Sequence, residues 1–316
     1  MKKIVLVLGV LLLSVSVAFA ASEIKNSTIT NTAKVKEGLN VAIGKDSSAN
    51  MGTIKMKDTN IQDSTISEAS TIEKGLNVAI GEKSKANMGS TDIEGGTIKG
   101  ATITNKSTVK EGLNVAIGKE STANMGAIQM KNANVQNSTI TNQASVEKGL
   151  NVAIGEKSKA NMGSIDLEGG TIKNSTITNK STVKEGLNVA IGKESTANMA
   201  SIQSKNTDLN NAKITNESSV EKGLNVAIGE KSKANMGSID MEGGSVKNAT
   251  ITNKATVKEG LNVAIGKNST ANMGSIQMKN TNVQGGTITN QSSVEKGLNV
   301  AIGEGSDASM GSIVAQ

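Results

Sequence analysis

The 316-residue sequence contains no cysteine, histidine, proline, tryptophan, tyrosine or arginine, and its single phenylalanine, Phe19, lies in an apolar run near the amino end. Each absence removes a class of chemistry. Without cysteine there are no disulfides and no thiolate metal sites. Without histidine the commonest general base, metal ligand and near-neutral pH switch are gone. Most familiar enzyme mechanisms lose their central residue, so the expectation is a protein that is not an enzyme and uses no cofactor and no metal. Aromatic side chains ordinarily supply much of a core's buried area, and a chain of 32.3 kDa without them must be held together another way. Nucleic acid is not an expected partner. The 34 lysines against 28 acidic residues give +6, and Lys2 and Lys3 of the leader account for two of those charges. Neither the arginine fork nor aromatic stacking is available.

Lys2 and Lys3 precede an apolar run from Ile4 to Leu13, and Ala18-Phe19-Ala20 has the small-x-small pattern that a signal peptidase reads. Residues 1–20 therefore read as a signal peptide cut after Ala20. The competing reading, a membrane anchor, would want a longer apolar run. The expected location is extracellular, secreted or on a surface fibre, with no membrane span once the leader is removed.

What remains is one unit repeated. The string GLNVAIG begins at Gly38, Gly75, Gly112, Gly149, Gly186, Gly223, Gly260 and Gly297, a constant step of 37 residues, and residues 21–316 divide into eight such units. A period held without insertion or deletion signals a stacked array. In the copy around Gly186, Ile177, Val183, Leu187, Val189, Ile191, Met199 and Ile202 recur as apolar in almost every copy, and these are the positions expected to face inward. Leu187, Val189 and Ile191 alternate with Asn188 and Ala190, the period of two of a strand with one buried face. Helical periodicity is absent, and glycines bracket the segments where the chain must turn. The fold class that follows is all-β, a parallel β-solenoid of eight 37-residue repeats with amyloid-like stacking.

The charged columns alternate from copy to copy. Two residues before each GLN glycine stand Lys36, Glu73, Lys110, Glu147, Lys184, Glu221, Lys258 and Glu295. The next column starts Glu37, Lys74, Glu111, and others start Lys45, Glu82 and Lys57, Glu94. If repeats stack directly, one above the next, alternation puts opposite charges side by side. Duplication of a 74-residue unit would also leave an alternating record, but it does not explain why each switch is between opposite charges. Two shorter rungs per repeat are the alternative, and they would move the charges about twice the ~4.8 Å strand spacing apart.

Asparagine occupies one column in all eight copies, Asn40, Asn77, Asn114, Asn151, Asn188, Asn225, Asn262 and Asn299. Stacked amides hydrogen-bond along such an axis. A second column runs from Asn50 to Asn272 and ends in Ser309, and the methionine column from Met51 to Met310 reads as core filler. Threonines flanking isoleucine, such as Thr102 and Thr104, would form an outward two-wide array, interrupted at Ser67 and Lys213.

Two resemblances bear on function. Segments such as EGLNVAIGKEST (Glu111–Thr122) are similar to repeats of bacterial functional amyloids, the curli and Fap families, which implies export, nucleated polymerisation and a biofilm role. NVAIGEKSKANMGSI (Asn151–Ile165) resembles the head repeat of trimeric autotransporter adhesins, which implies a β-roll adhesin. That family's coiled-coil stalk and membrane anchor have no counterpart in these residues. The function expected is a secreted structural protein that polymerises head to tail into extracellular fibres. Its partner is itself, with a secretion or nucleation partner as an accessory. The alternative is a surface adhesin or ice-binding solenoid acting through a flat Thr/Asn face.

Overall fold

The computed structural model describes residues 16–20 and 23–316, so the leader's charged and apolar segment before residue 16 lies outside the described residues. No helix occurs among the described residues, and every strand pairing is parallel. The third turn shows the unit. Strands Thr97–Lys99, Thr102–Asn105, Thr108–Ile117, Thr122–Met125 and Ile128–Lys131 follow one another around the axis. Each pairs with the segment 37 residues on, Val109 with Val146, Met125 with Met162, Ile128 with Ile165. One repeat is one turn, so the direct stacking expected from the charge alternation is the arrangement present and two rungs per repeat are not. In the first two turns the second and third strands merge into single strands, Thr28–Ile43 and Thr65–Ile80.

Corners are made by residues in the left-handed region. Asparagine tolerates that region better than other side chains, and Asn132, Asn174 and Asn206 occupy it at φ near 50°.

Three apolar columns run the length of the stack. Isoleucines such as Ile103, Ile128 and Ile140 fill the main body with Met130 and Leu167. A valine–methionine column, Val109 with Met125 and their counterparts, lies beside it. A column of paired alanines, Ala116 facing Ala123 and so on, closes the narrow end. Stacked rows of like side chains fill the interior without any aromatic residue, because each side chain packs on copies of itself above and below.

The structure corrects the expected facing of one strand. Ile177, Val183, Met199 and Ile202 are fully buried as anticipated. In the GLNVAI strand the phase is reversed: Asn188 and Ala190 point inward with no exposed surface, whereas Leu187 and Val189 are half-buried on the outside and Ile191 is 36% exposed. The physical reason lies across the narrow end. Asn188 Nδ2 donates to the Ala160 carbonyl at 3.0 Å and to Asn225 Oδ1 at 2.8 Å. The close approach of the two alanine columns leaves no room for Leu, Val or Ile inside.

Candidate functional site

The predicted asparagine column forms a hydrogen-bonded ladder from Asn77 onward. Asn77 Nδ2 donates to Asn114 Oδ1 at 2.9 Å, Asn114 to Asn151 at 2.8 Å, and the chain continues through Asn188 and Asn225 to Asn262 and Asn299. Asn40 stands outside it: its Nδ2 donates to the Asn50 carbonyl at 2.9 Å, and Asn77 Oδ1 is buried without a partner. The column beginning at Asn50 is a second ladder of opposite polarity: Asn87 donates back to Asn50 and Asn124 back to Asn87, each at 2.9 Å. Most of these amides also bond a backbone carbonyl or a neighbouring side chain, as Asn114 does with the Ala86 carbonyl and Asn124 with Gln129, so the buried polar rows are largely satisfied internally. They fix the register of every turn on the next, since a slip breaks all of them together.

The charge ladder of Lys36, Glu73, Lys110, Glu147, Lys184, Glu221, Lys258 and Glu295 lies on the surface. Its residues stack turn on turn, because the flanking pairs Val35–Ile72 and Glu37–Lys74 are in register. Lys184 Nζ comes 3.6 Å from Glu147 Oε1 in this column. In the neighbouring columns Lys74 meets Glu37 at 3.9 Å and Lys267 meets Glu304 at 3.1 Å. All of these pairs are solvent-exposed, so each contributes only about 0–1 kcal/mol and their role is to bias register.

Three features escaped the sequence reading. The first is a set of buried ion pairs: Lys159 Nζ lies 2.8 Å from Asp166 and 3.0 Å from Glu168, and Lys85–Asp92 and Lys233–Asp240 repeat the pair two turns away on either side. Burial alone would lower the Lys159 ammonium, but Asp166 and Glu168 outweigh it and hold it above the ordinary lysine range. The intervening turns carry a neutral pair at these positions, Thr122 with Gln129 and Thr196 with Gln203.

The second is a third asparagine ladder, from Asn105 through Asn142, Asn179 and Asn216 to Asn253 and Asn290. The third is its one break, Glu68, which is fully buried and accepts from Asn31 Nδ2 at 2.7 Å. Burial pushes its carboxyl up to about 8, against smaller lowering from hydrogen bonds with Ser70 and Asn31. Glu68 Oε1 and Asn105 Oδ1 are both buried with no hydrogen-bond partner, and the two residues are paired in register. Elsewhere in the column an amide N–H donates to the next asparagine; a protonated Glu68 carries a donor for that position and an ionised one does not. The signal was present as a single acidic residue in a column of asparagines, but an acidic residue reads as surface when its facing is unknown.

On the outside, the reversed strand leaves three aliphatic columns, headed by Leu39, Val41 and Ile43: the isoleucine column is exposed along the stack, while the leucine and valine columns are half-buried between the end turns. A groove runs beside them, lined in every turn by a charged residue, a glycine and a leucine, from Glu37, Gly38 and Leu39 to Lys296, Gly297 and Leu298. The glycine is required there: a Cβ at Gly112 would stand 2.6 Å from Val109 Cγ1 and 3.0 Å from Met125 Cε. Among the described residues no group of three or more acidic side chains is arranged to hold a metal ion. No family model, no curated protein and no solved structure matches this chain.

Proposed function

We propose that this protein is an exported structural subunit whose solenoids stack head to tail into extracellular fibres. The observation that carries the reading is the way the edge of the first turn takes up an added strand. Strand Thr53–Lys57 carries Ser16–Ala20 as a parallel neighbour, Ser16 against Thr53 and Ala20 against Lys57, in the same 37-residue step that builds the rest of the stack. That edge accepts an added strand, and Ser312–Gln316 of a second copy is the segment of equivalent phase. Removal of the leader after Ala20 takes Ser16–Ala20 away and clears the seat.

The eighth turn is complementary. Val283, Met310 and Ile313 are 42%, 43% and 48% exposed there, whereas their counterparts one turn earlier, Val246, Met273 and Ile276, are buried. The first turn of a second copy would cover them. Charge supports the same junction. In the first turn Lys55 Nζ meets Ser48 Oγ at 3.2 Å rather than a carboxylate. In the eighth, Asp307 stands in the column where Lys85 and Thr122 stand elsewhere. Stacking sets Asp307 one strand below Ser48 and beside Lys55, while Glu295, Lys296 and Glu304 meet Lys36, Glu37 and Lys45 of the next copy.

Electron microscopy and fibre diffraction of a chain beginning at Ala21 test the reading. Long uniform filaments with a meridional spacing near ~4.8 Å are expected, and fewer or none from a chain that retains residues 16–20. Dispersed short rods from both chains would overturn it.

A further inference from the structure

The outward aliphatic face has a symmetry of its own. In the third turn it reads Glu111-Gly112-Leu113-Asn114-Val115-Ala116-Ile117-Gly118-Lys119. On either side of Val115 the residues outside the inward Asn114 and Ala116 are matched: an aliphatic residue, a glycine, then a charge, with the sign of the charge reversed. The fourth turn is the same with charges exchanged, Lys148 to Glu156 about Val152. The pattern is kept in all eight turns.

We infer that this face docks against the same face of a second copy, the two solenoids side by side and pointing the same way about a two-fold axis parallel to both. That rotation sets Val on Val at each level and Leu on Ile. It also sets Glu111 opposite the partner's Lys119 and, one turn up, Lys148 opposite the partner's Glu156. A slip of one turn brings like charges together throughout, so the charges fix the level as well as the pairing. Shape agrees with charge. The isoleucine column is the ridge of the face, 36–38% exposed in the second to seventh turns. The glycine–leucine groove runs along the opposite margin. The rotation lays each ridge over the other copy's groove.

The area is sufficient. From Leu to Ile the face is about 13 Å wide, and eight turns span about 34 Å. With the side chains' own width that is on the order of 600 Å², and the charged margins bring it past the ~800 Å² per partner of a standard interface. A contiguous aliphatic patch of this size on a soluble surface marks an interaction site. Two sheets packed this way lie about 10 Å apart, with interdigitated side chains. The inference does not depend on head-to-tail stacking, and both copies keep the same growing direction if that stacking also occurs.

The absence of native cysteine makes the test direct. In the full chain, Val78→Cys is expected to give a covalent dimer with a short bismaleimide cross-linker, because Val78 of each copy faces its counterpart across the ~10 Å between packed sheets, a span too long for a disulfide. Val263→Cys is expected to do the same. A mixture of the two variants should give no heterodimer beyond the separate homodimers, and Thr139→Cys, outward on another strand, should stay uncrosslinked. A cross-link that appears only in the mixture would mean antiparallel faces and overturn the proposal. No cross-link from any variant would also overturn it and would leave head-to-tail stacking standing, since end contacts keep all of these positions several turns apart. Val152→Lys, on the exposed side of its strand, should abolish the Val78→Cys dimer without altering the circular dichroism spectrum.

Discussion

Glu68 makes the second turn the pH-sensitive point of the stack. Its carboxyl is held near 8, against an ordinary value of 4.5, chiefly by burial, and its neighbours Asn31, Ser70 and Asn105 are all neutral. Because the folded value is the higher one, the fold favours the protonated acid. Stability from this group is therefore full below about 4.5, falls as the pH rises, and is lost once the pH passes about 8. At 1.36 kcal/mol per unit the whole effect is roughly 3–5 kcal/mol. A cost of that size falls locally, since each turn contacts only its neighbours and a repeat stack opens turn by turn.

Glu68→Gln keeps the length, supplies an N–H donor for Asn105 Oδ1 and cannot ionise. Glu68→Asn restores the residue that stands in the rest of the column. Hydrogen exchange of the amides of Ile66 to Ile72 is the direct measurement, with Ile140 to Val146, two turns on, as the internal reference. Between pH 5 and pH 9 the wild-type second turn should lose protection relative to the reference by the equivalent of a few kcal/mol, after correction for the intrinsic exchange rate. Both variants should hold it. A pH-independent difference in the wild type, or the same loss in Glu68→Gln, would refute a proton shared between Glu68 and Asn105.

Other substitutions separate the faces and the buried pairs. Asn188→Leu should cost about 3 kcal/mol or more, because Asn151 and Asn225 lose their partner in a dry interior, whereas Leu187→Ser on the half-buried outer side should cost about 1 kcal/mol or less; thermal unfolding ranks the two, and the opposite order would show the strand faces the other way. Lys159→Met should destabilise by about 3–5 kcal/mol by leaving Asp166 buried without its cation. The double change Lys159→Thr with Asp166→Gln, which copies the neighbouring turns, should recover most of that loss in chemical denaturation. Ala200 sits at φ 53° in a corner column otherwise held by glycine, so Ala200→Gly should gain about 1 kcal/mol by removing left-handed strain, read as a rise in melting temperature.

The repeat, its single-turn stacking and its inward Ile, Val and Met columns were legible because each leaves a pattern that one arrangement alone satisfies. A fixed step of 37 with charges that change sign at every step requires neighbours one repeat apart. Alternation along a strand is weaker information. Period two has two phases, and ordinary hydrophobicity places Leu187, Val189 and Ile191 inside. The phase is decided instead by what each side must pack against. Asn188 and Ala190 face a second strand carrying Ala197 and Asn198, so close that alanine meets alanine and one amide bonds the carbonyls across the gap.

A trace of this was in the sequence. The column of Ala42 to Ala301 is alanine in every copy, and valine, the commonest aliphatic alternative on an open strand, never replaces it. A position capped in size in every turn is an enclosed one, whereas an exposed strand position has room for something larger. The buried lysines carried no such trace, because a lysine that alternates with threonine, as Lys159 does with Thr122 and Thr196, looks like any solvated column. Its burial depends on Asp166, seven residues away around a corner whose angle the sequence does not state. The surface column Lys99, Gln136, Lys173 alternates charge with neutrality in the same way, so only the corner that brings Asp166 to Lys159 separates the two cases.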